Sequence, residues 1–525
     1  MGTSFRDSGI GTEFVTPLVA FAGVDDVGLV LTDVDRGTPM RVDAVEFPAL
    51  DDIPAGHKVA VRPMTAGALV RKYGEPIGVA SCDIPVGAHV HIHNVRVGQH
   101  VARGRANAPQ QPRVQDPAAG QGNWQPPAAP ARTSFLGYRR PDGRAATRNY
   151  IAVLPTVNCS ATVSRIIAQR ANELHRGAPG VDGVIALNHD LGCGMAEGTV
   201  GDEILRRTLR GYAGHANFVK VVMVSLGCEV NQPENVFGDA VPVETLAIQQ
   251  IGGSAATVGA GLERIARCVA EAADLRREPI PVSELVLGLQ CGGSDAYSGL
   301  TANPTLGVAA DLLVAAGGKV VLGETPEIYG AEHMLRDRAA DPALAERIDE
   351  LIEWWRGYTA KHDAEMDDNP SKGNHEGGIT TIWEKSLGAI LKGGTSPLND
   401  VVGYAQPVTA DGLTFMDTPG YDPVSATGMV AGGANLLAFT TGRGSVFGSR
   451  PAPCLKISTT TGLYERMRGD IDFDAGPAFS RAEQVRRGAL LFEALVDMAS
   501  GLPSKSEELG FGTEEIVPWR IGAVM

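Results

Sequence analysis

The chain has 525 residues, 43% of them hydrophobic and 20% charged, and a formal net charge of -15 at pH 7. One hydrophobic core rarely organises so long a chain, so we expect two or three domains. The acidic balance argues against binding to nucleic acid or to an anionic membrane, because no basic excess is available to release counterions. No apolar run is long enough to span a bilayer, and the first residues lack the pattern of a signal peptide, so we expect a cytoplasmic protein.

The distribution of apolar residues divides the chain into four parts. Residues 14–101 form short segments rich in Val and punctuated by Gly and Pro, which predicts a small all-β domain. Residues 102–133 are dominated by Ala, Gln, Pro and Gly, which predicts a flexible linker. Residues 134–357 and 358–525 are predicted to form an α/β, Rossmann-like body in two parts, each a domain of its own.

The α/β prediction rests on apolar, strand-like runs that alternate with helical patterns. Such alternation is typical of a mostly parallel sheet covered by helices. The predicted strands are Tyr150–Leu154, Gly183–Leu187, Val219–Val224, Glu284–Leu289, Gly318–Leu322 and Asn435–Phe439. The predicted helices are Ala161–His175, Gly201–Tyr212, Val243–Ile251 and Leu306–Ala316.

Three histidines occupy alternate positions in Gly87-Ala-His-Val-His-Ile-His-Asn94. Side chains at alternate positions of a strand project to one face, so His89, His91 and His93 are predicted to lie together. A row of imidazoles suits a divalent metal, whereas the alternative is a solvated strand face that happens to be rich in histidine. His57, next to Lys58, is a further catalytic candidate, although a histidine beside a lysine is also ordinary on a protein surface.

The seven cysteines are an odd number spread over a long chain, which predicts free thiols rather than a disulfide framework. Cys193, Cys228 and Cys291 each follow a strand-like run and are flanked by Gly. Loops at the carboxyl ends of parallel strands form the ligand crevice of an open sheet, so these loops can converge there. We name Cys193, Glu229 and Cys291 as candidate ligands of a metal or an iron–sulfur cluster, while a buried, structural role for the cysteines is equally compatible with the pattern.

A polar segment with several glycines extends from Asn369 to Gly378. So many polar groups would be costly to bury without a ligand, and the alternative is a solvated surface turn. Lys372 and His375 are predicted as acid/base groups because either can titrate near neutral pH when it is desolvated. Asn374 and Glu376 are predicted substrate contacts.

Two further segments offer a guanidinium group to an anionic substrate. Arg443 lies in the Gly-rich segment Thr440-Thr-Gly-Arg-Gly-Ser445, where backbone N–H groups and one guanidinium suit a carboxylate. Arg148 and Asn149 could serve similarly. In both cases a plain surface turn is the alternative.

Several motifs together point to one protein family. In the N-terminal region they are Gly56-His57-Lys58, Lys72-Tyr-Gly74, Pro76-Ile-Gly78 and Val90-His91-Ile-His93-Asn94. Farther along they include Thr147-Arg-Asn-Tyr150, Gly192-Cys-Gly194, Gly227-Cys-Glu229, Asn369 to Thr380 and Asp417-Thr-Pro-Gly-Tyr-Asp-Pro423. The first group resembles the SAF (β-clip) domain, and the second resembles the main body, of the altronate/galactarate dehydratase family.

This resemblance implies β-elimination of water from a sugar acid, a hexonate or hexarate, with a divalent metal as cofactor. Iron(II) is the implied metal, with manganese(II) or an iron–sulfur cluster as alternatives, and the resemblance ranks His91 and His93 above His89 as metal ligands. We expect a small-molecule sugar acid as the partner and a homodimer or higher homo-oligomer. Two other functions stay open, namely a sulfo-lyase that acts on sulfolactate and a non-catalytic sugar-acid binding protein.

Overall fold

The chain divides into two units in the computed structural model, which describes residues 18–19, 24–42, 45–98, 124–237 and 243–522. Unit 1 comprises Met1–Val114 and Pro370–Glu384, and unit 2 comprises Gln115–Asn369 and Lys385–Met525. The linker predicted at 102–133 lies, up to residue 123, outside the described residues.

The N-terminal part of unit 1 is built from short strands, which confirms the small β domain. Its strands are Leu18–Val19, Val27–Val30, Pro39–Val42, Val45–Pro48, Lys58–Ala60, Leu69–Lys72, Glu75–Ala80, His89–Val90 and Val95–Arg96. They pair antiparallel in sheets of four, two and three strands. Val30, Met40 and Val59 are completely buried in the core of this domain.

A segment from the second half of the chain completes unit 1. Residues 370–384, predicted as part of the C-terminal α/β domain, carry the helix Lys372–Glu376 and the beginning of the helix Ile382–Ile390. The Thr381 hydroxyl donates a hydrogen bond to the carbonyl of Ile77, 304 residues earlier. The approach is close, since a Cβ added to Gly78 would lie 3.4 Å from the Thr381 methyl group.

Unit 2 contains a four-stranded parallel sheet with helices packed against it. In spatial order its strands are Gly183–Ala186, Tyr150–Pro155, Phe218–Ser225 and Glu244–Ala247. The helices of this part are Asn158–Leu174, Val200–Ala213, Pro233–Phe237, Ile248–Ile251 and Ser254–Ala272. The helix predicted over Val243–Ile251 is wrong in its first half, because residues 244–247 pair with Val222–Ser225 and this pairing overrides the local helical pattern.

A seven-stranded parallel sheet forms the rest of unit 2. In spatial order its strands are Leu398–Val402, Gly412–Met416, Lys319–Leu322, Val286–Cys291, Leu436–Thr441, Cys454–Ser458 and Phe473–Asp474. The boundary predicted between residues 357 and 358 falls inside this sheet, since two of these strands precede it and five follow it. The two parallel sheets are instead separated between Ala272 and Val286.

The remaining elements of unit 2 surround the two sheets. Its other helices are Ala302–Ala315, His333–Arg336, Pro342–Ala360, Asp422–Ala431, Thr461–Arg466, Arg481–Ala499 and Lys505–Glu508. Short 3-10 turns lie at Val282–Glu284, Thr325–Ile328, Met366–Asp368 and Leu391–Gly393, and a small antiparallel sheet consists of Ala145–Ala146, Ser134–Arg139 and Glu278–Pro281. Among the residues described, no helix combines the length and the apolar character needed to cross a membrane.

Each parallel sheet has one point where the order of the strands reverses along the chain. In the seven-stranded sheet this point lies between Val286–Cys291 and Leu436–Thr441. In the four-stranded sheet it lies between Tyr150–Pro155 and Phe218–Ser225. Ligands of open α/β sheets bind at such switch points, beyond the carboxyl ends of the strands.

Gly211 provides a test of how tightly the two parts of unit 2 pack. It lies in helix Val200–Ala213, where an added Cβ would come within 2.2 Å of the carbonyl oxygen of Ala431. Gly211→Ala should therefore lower the free energy of unfolding by about 1–3 kcal/mol, measured by denaturant unfolding. The matched control is Gly259→Ala, because Gly259 also lies in a helix but faces open space, and this change should add up to about 1 kcal/mol. Equal effects of the two changes would contradict the close helix contact.

Candidate active site

A turn, not a strand, brings the three neighbouring histidines of unit 1 together. The strand ends at Val90, so the predicted strand face is wrong. The N–H groups of Asn94 and Val95 both donate to the carbonyl of His91, at 3.0 Å. The Asn94 side chain accepts from His91 N at 2.9 Å and donates to His89 O at 2.9 Å, which closes the turn on both sides.

Five imidazole rings lie close to one another in unit 1, and we call His57, His89, His91, His93 and His375 the histidine cluster. The ring centroid of His57 lies 4.5 Å from that of His91 and 5.2 Å from that of His89. His89 lies 5.6 Å from His91 and 5.3 Å from His93. The ring centroid of His375, in the helix Lys372–Glu376, lies 6.2 Å from that of His91, and the planes of the two rings are nearly perpendicular. The structure thus brings together all the histidines that the sequence singled out.

The hydrogen bonds of the cluster define which nitrogens carry a proton when the rings are neutral. His57 Nε2 lies 3.3 Å from the carbonyl of Glu376, which can only accept, so His57 carries its hydrogen there. Its Nδ1 then accepts from His89 Nε2 at 3.0 Å. By the same argument His375 donates from Nδ1 to the carbonyl of Ile379 at 2.9 Å, which leaves Nε2 with a lone pair.

The protein environment favours the neutral form of three of these rings, those of His57, His89 and His91. Burial, followed by the nearby charge of Lys58, lowers the pKa of His91 to about 3, and burial lowers the pKa of His89 to about 4. Burial also lowers the pKa of His57. His91 Nδ1 is buried and has no hydrogen-bond partner among the described residues. A neutral imidazole is the form that binds a metal ion or accepts a proton, so the cluster is prepared for either task.

Lys58, Lys72 and Glu384 form a buried ionic triad next to the histidines. The Lys58 ammonium donates to both Glu384 oxygens, at 3.1 and 2.9 Å, and to the carbonyl of Gly378 at 2.5 Å. Lys72 donates to Glu384 Oε1 at 2.8 Å. The backbone N–H and the hydroxyl of Thr380 donate to Glu384 Oε2 at 2.8 and 2.7 Å, so the carboxylate is fully hydrogen-bonded.

The pKa values of the triad show how the shared carboxylate balances the two lysines. Burial alone would raise the pKa of Glu384, but the two ammonium groups hold it well below its usual range. Burial lowers the pKa of Lys72, but the interactions of its ammonium with Glu384 and Tyr73 are stronger, so the pKa of Lys72 is raised overall. Burial lowers the pKa of Lys58 to about 8. Because Lys58 has three acceptors for its three N–H bonds, we describe it as an ammonium at pH 7.

The triad was not predicted from the sequence. A signal was present, because Lys58 begins the apolar strand Lys58–Ala60 and Glu384 follows the buried Ile382 and Trp383. A charge inside an apolar run predicts a buried, paired group. The partner could not be found, because Lys58 and Glu384 are 326 residues apart in sequence.

Lys372 and Asn374, two other predicted residues of the helix Lys372–Glu376, differ in their exposure to solvent. The Lys372 side chain is 92% exposed, and its ammonium lies 3.8 Å from Glu376 Oε1. Asn374 is buried and closes the beginning of the helix, where its side-chain oxygen accepts from Ser371 N at 2.8 Å. Asn374 therefore has a structural role in the helix cap.

In unit 2, two predicted loops meet at the switch point of the seven-stranded sheet. The carbonyl of Gly293 accepts hydrogen bonds from Gly442 N at 3.1 Å and Arg443 N at 2.9 Å. The Arg443 residue is exposed. Cys291 is buried, with its sulfur 2.7 Å from the Ser294 hydroxyl, and burial raises the pKa of its thiol. Burial therefore disfavours the thiolate that a metal would need.

A second buried ionic group lies at the same sheet edge of unit 2, and we call Glu324, Glu327, Lys385, Lys392 and Asp422 the edge cluster. Lys385 Nζ lies 2.7 Å from Glu327 Oε1, and Lys392 Nζ lies 3.5 Å from Glu324 Oε2. Burial, followed by the charge of Glu327, raises the pKa of Glu324 well above its usual range and that of Asp422 to about 7. None of these residues was predicted from the sequence.

The remaining predicted residues of unit 2 have partners within the fold. Glu229 accepts from the Thr156 hydroxyl at 2.5 Å and from Leu226 N and Gly227 N at 3.1 and 2.7 Å, which closes a loop of the four-stranded sheet. Cys193 is exposed and follows a strand of that sheet, whereas Cys291 belongs to the other sheet.

Arg148 and Asn149 directly precede the strand Tyr150–Pro155 of the four-stranded sheet. The guanidinium of Arg148 makes a two-pronged ion pair with Glu507 at 2.7 and 2.8 Å and donates to three backbone carbonyls. Asn149 N donates to Asp182 at 2.6 Å, and its side chain donates to Gly180 O. Arg148 is therefore saturated by the fold and gives no donor to a substrate.

The metal site predicted from the sequence is not complete within the part of the chain that the structure describes. No group of three or more His, Cys, Asp or Glu side chains there is arranged to hold a metal ion. The ligand roles of His91, His93, Cys193, Glu229 and Cys291 therefore stay predictions. A catalytic metal commonly keeps positions open for water and substrate, so an incomplete set of protein ligands is compatible with such a site.

Three family profiles match the chain in succession. The altronate/galactarate dehydratase SAF domain matches residues 17–98. The second domain of D-galactarate dehydratase/altronate hydrolase matches residues 137–273, and the C-terminal domain of D-galactarate/altronate dehydratase matches residues 282–524. The last two ranges correspond to the four-stranded and the seven-stranded sheet.

Single relatives match most of the chain. Altronate dehydratase of Bacillus subtilis (strain 168) is 36% identical over 86% of this chain and 88% of its own length. Galactarate dehydratase (L-threo-forming) of Escherichia coli (strain K12) is 35% identical over 91% of both chains. The beta subunit of (2R)-sulfolactate sulfo-lyase of Chromohalobacter salexigens is 32% identical over 72% of this chain and 95% of its own length.

Glu384 provides a test of the ionic triad. Glu384→Gln leaves two buried ammonium groups without a counter-charge, so it should lower the free energy of unfolding by about 3–5 kcal/mol in denaturant titrations. The control is Glu353→Gln, which removes an exposed pair with Arg356 and should change that energy by at most about 0.5 kcal/mol. A similarly small loss for Glu384→Gln would mean that the triad does not hold unit 1 together.

Proposed function

The chain belongs to the altronate/galactarate dehydratase family, and from that membership we propose that it is a hydro-lyase that converts a hexonate or hexarate into a 2-keto-3-deoxy acid. The observation that carries the proposal is the histidine cluster, in which burial lowers the pKa of His57, His89 and His91 and one buried nitrogen, Nδ1 of His91, has no hydrogen-bond partner among the described residues.

The reaction must remove a very weakly acidic hydrogen from the carbon next to the substrate carboxylate. A bound divalent metal, which we propose to be iron(II), would supply positive charge that stabilises the negative charge left on the substrate when this hydrogen is removed. His91 and His93 are the residues that would hold it. His91 fits this role because its Nδ1 is buried, unpaired within the described residues and neutral. His89 donates a hydrogen bond to His57, and the ring of His57 packs against the ring of His91 and helps to orient it.

His375 is the group that we propose as the base. Its Nδ1 donates to the carbonyl of Ile379, so Nε2 is free to take the proton from carbon 2. The carbonyl of Ile379 then stabilises the imidazolium through the same hydrogen bond. The electron pair of the broken C–H bond forms the enediolate.

Lys372 is the group that we propose as the acid. It precedes His375 by three residues in the same helix, and side chains at this spacing lie on the same side of a helix. As the bond between carbon 3 and its hydroxyl breaks, the leaving oxygen takes a proton from the Lys372 ammonium and departs as water. The enol then rearranges to the ketone.

His57 is proposed as a positioning residue. Its hydrogen bond to the carbonyl of Glu376, together with the bond from Lys58 to Gly378 O, attaches both ends of the segment that follows His375 to the β domain. The imidazole of His375 is thereby held near His91. Glu376 contributes through its backbone carbonyl, so its side chain is not required for this contact.

A sulfo-lyase is the nearest other function, since it needs only a different leaving group on carbon 3. The sulfo-lyase relative is named as a subunit and covers 72% of this chain. The two dehydratases of the preceding comparison cover 86% and 91% of it as single chains. This difference favours a dehydratase.

His375 can be tested by an isosteric change. His375→Gln should lower kcat by about 100- to 10,000-fold, because a general base contributes on that order. The melting temperature should stay at the wild-type value, since the residue lies at the edge of a short helix. His362→Gln, at an exposed histidine, is the control and should retain full activity. Wild-type turnover by His375→Gln would remove this residue from the mechanism.

Metal removal tests the cofactor. Protein loaded anaerobically with iron(II) should form a 2-keto acid, detected with semicarbazide, from at least one member of a panel of hexonates and hexarates. Chelation should lower the rate by about 1,000-fold, because charge stabilisation by the metal is worth several kcal/mol, and added iron(II) should restore it. Undiminished turnover by the demetallated protein would exclude a metal-dependent reaction.

A further inference from the structure

Buried carboxylates in this protein are usually surrounded by hydrogen-bond donors. Glu384 accepts from two lysines and Thr380, as described above. Asp311 accepts from the backbone and hydroxyl of Thr395 and from the backbone of Ser396, at 2.8–3.0 Å. Such saturation offsets the cost of taking a carboxylate out of water, so these groups need no ligand.

Glu324 departs from this pattern. Its side chain is 1% exposed, yet neither carboxylate oxygen has a hydrogen-bond partner among the described residues. Glu327 Oε2 is likewise buried without such a partner. Leaving buried acceptors unsatisfied is costly, so such atoms in a folded protein call for an explanation, and a bound ligand is one.

The backbone at Glu324 is held in a conformation that disfavours side chains. Its φ of 69° lies in the left-handed region, which is unfavourable for a residue other than glycine. Glu324 N donates to the Thr418 hydroxyl at 2.7 Å, and Thr325 N donates to the Thr418 carbonyl at 2.9 Å, which holds the backbone in this conformation. Glu324 lies at the carboxyl edge of the seven-stranded sheet, two residues after the end of the strand Lys319–Leu322.

The composition of the edge cluster limits the chemistry of a ligand. The unsatisfied atoms are acceptors, so a ligand must bring donors. The ammonium groups of Lys385 and Lys392 already supply the positive charge, which disfavours an additional cation. Neutral donors that match several carboxylate oxygens at once are the hydroxyl groups of a polyol.

We propose that Glu324 and Glu327 form a binding site for the hydroxyl groups of a polyhydroxy acid, at the carboxyl edge of the seven-stranded sheet. The choice of a polyhydroxy acid rests on the proposed function. The two carboxylates accept hydrogen bonds from neighbouring hydroxyls, and Asp422 interacts electrostatically with both carboxylates. This site would read the positions of the hydroxyls and so determine which sugar acid is preferred.

The test compares two buried carboxylates by an isosteric change. Glu324→Gln replaces one of two oxygens that no donor among the described residues fills, so it should raise KM for the best acid of the panel by about 10- to 100-fold, whatever the loss of the ion pair with Lys392 does to the melting temperature. The control Asp311→Asn removes a saturated carboxylate, so it should lower the melting temperature and leave KM unchanged. If Glu324→Gln does not fold, Glu327→Gln takes its place with the same expected rise in KM.

The outcomes separate this inference from the proposed function. A wild-type KM for folded Glu324→Gln protein would overturn the inference and leave the function intact. If wild-type protein turns over no acid of the panel, the proposed function fails, and calorimetric titration with D-galactarate decides the inference. Binding to the wild type that is at least about tenfold weaker in Glu324→Gln supports the site. No binding to the wild type, or equal binding to both proteins, overturns it.

Discussion

The candidate active site of unit 1 depends on one carboxylate that two lysines share. Glu384 pairs with the buried ammonium groups of both Lys58 and Lys72, and Lys58 also binds the carbonyl of Gly378. These bonds attach the segment 370–384 to the β domain and thereby fix His375 near the other imidazoles. After burial, the positive charge of Lys58 also disfavours protonation of His57 and His91. The shared carboxylate therefore positions the segment that carries His375 and holds in place a charge that keeps its neighbours neutral.

The same principle, applied to the whole protein, separates structural from functional charges. Where the fold surrounds a buried carboxylate with donors, as at Glu384 and Asp311, the group stabilises the structure. Arg148 is the corresponding case among the cations, because Glu507 and backbone carbonyls use its donors. Glu324 is buried just as deeply, but its oxygens have no hydrogen-bond partner among the described residues, and the ammonium of Lys392 lies 3.5 Å from one of them. Burial alone therefore does not identify a functional charge.

The sequence predicted the parts of the fold that local patterns control. Continuous apolar runs such as Tyr150–Leu154 identified the buried parallel strands, because both faces of such strands are covered. The boundary at residue 357 and the place of the segment 370–384 could not be predicted, since they depend on which distant strands pair. The candidate residues divide in the same way. His91 and His375 were recognisable by type and spacing, whereas Glu324 acquires its character only from neighbours that are remote in sequence.

The turn after Val90 explains why the histidines could be selected correctly from an incorrect geometry. In an extended strand, residues four positions apart are separated by about 13 Å, so the rings of His89 and His93 could not meet. In the turn their centroids are 5.3 Å apart, because Asn94 bonds the backbone of His89 and of His91 and folds the chain back. The placement of the rings therefore depends on the small amide side chain of Asn94 as much as on the positions of the histidines in the sequence.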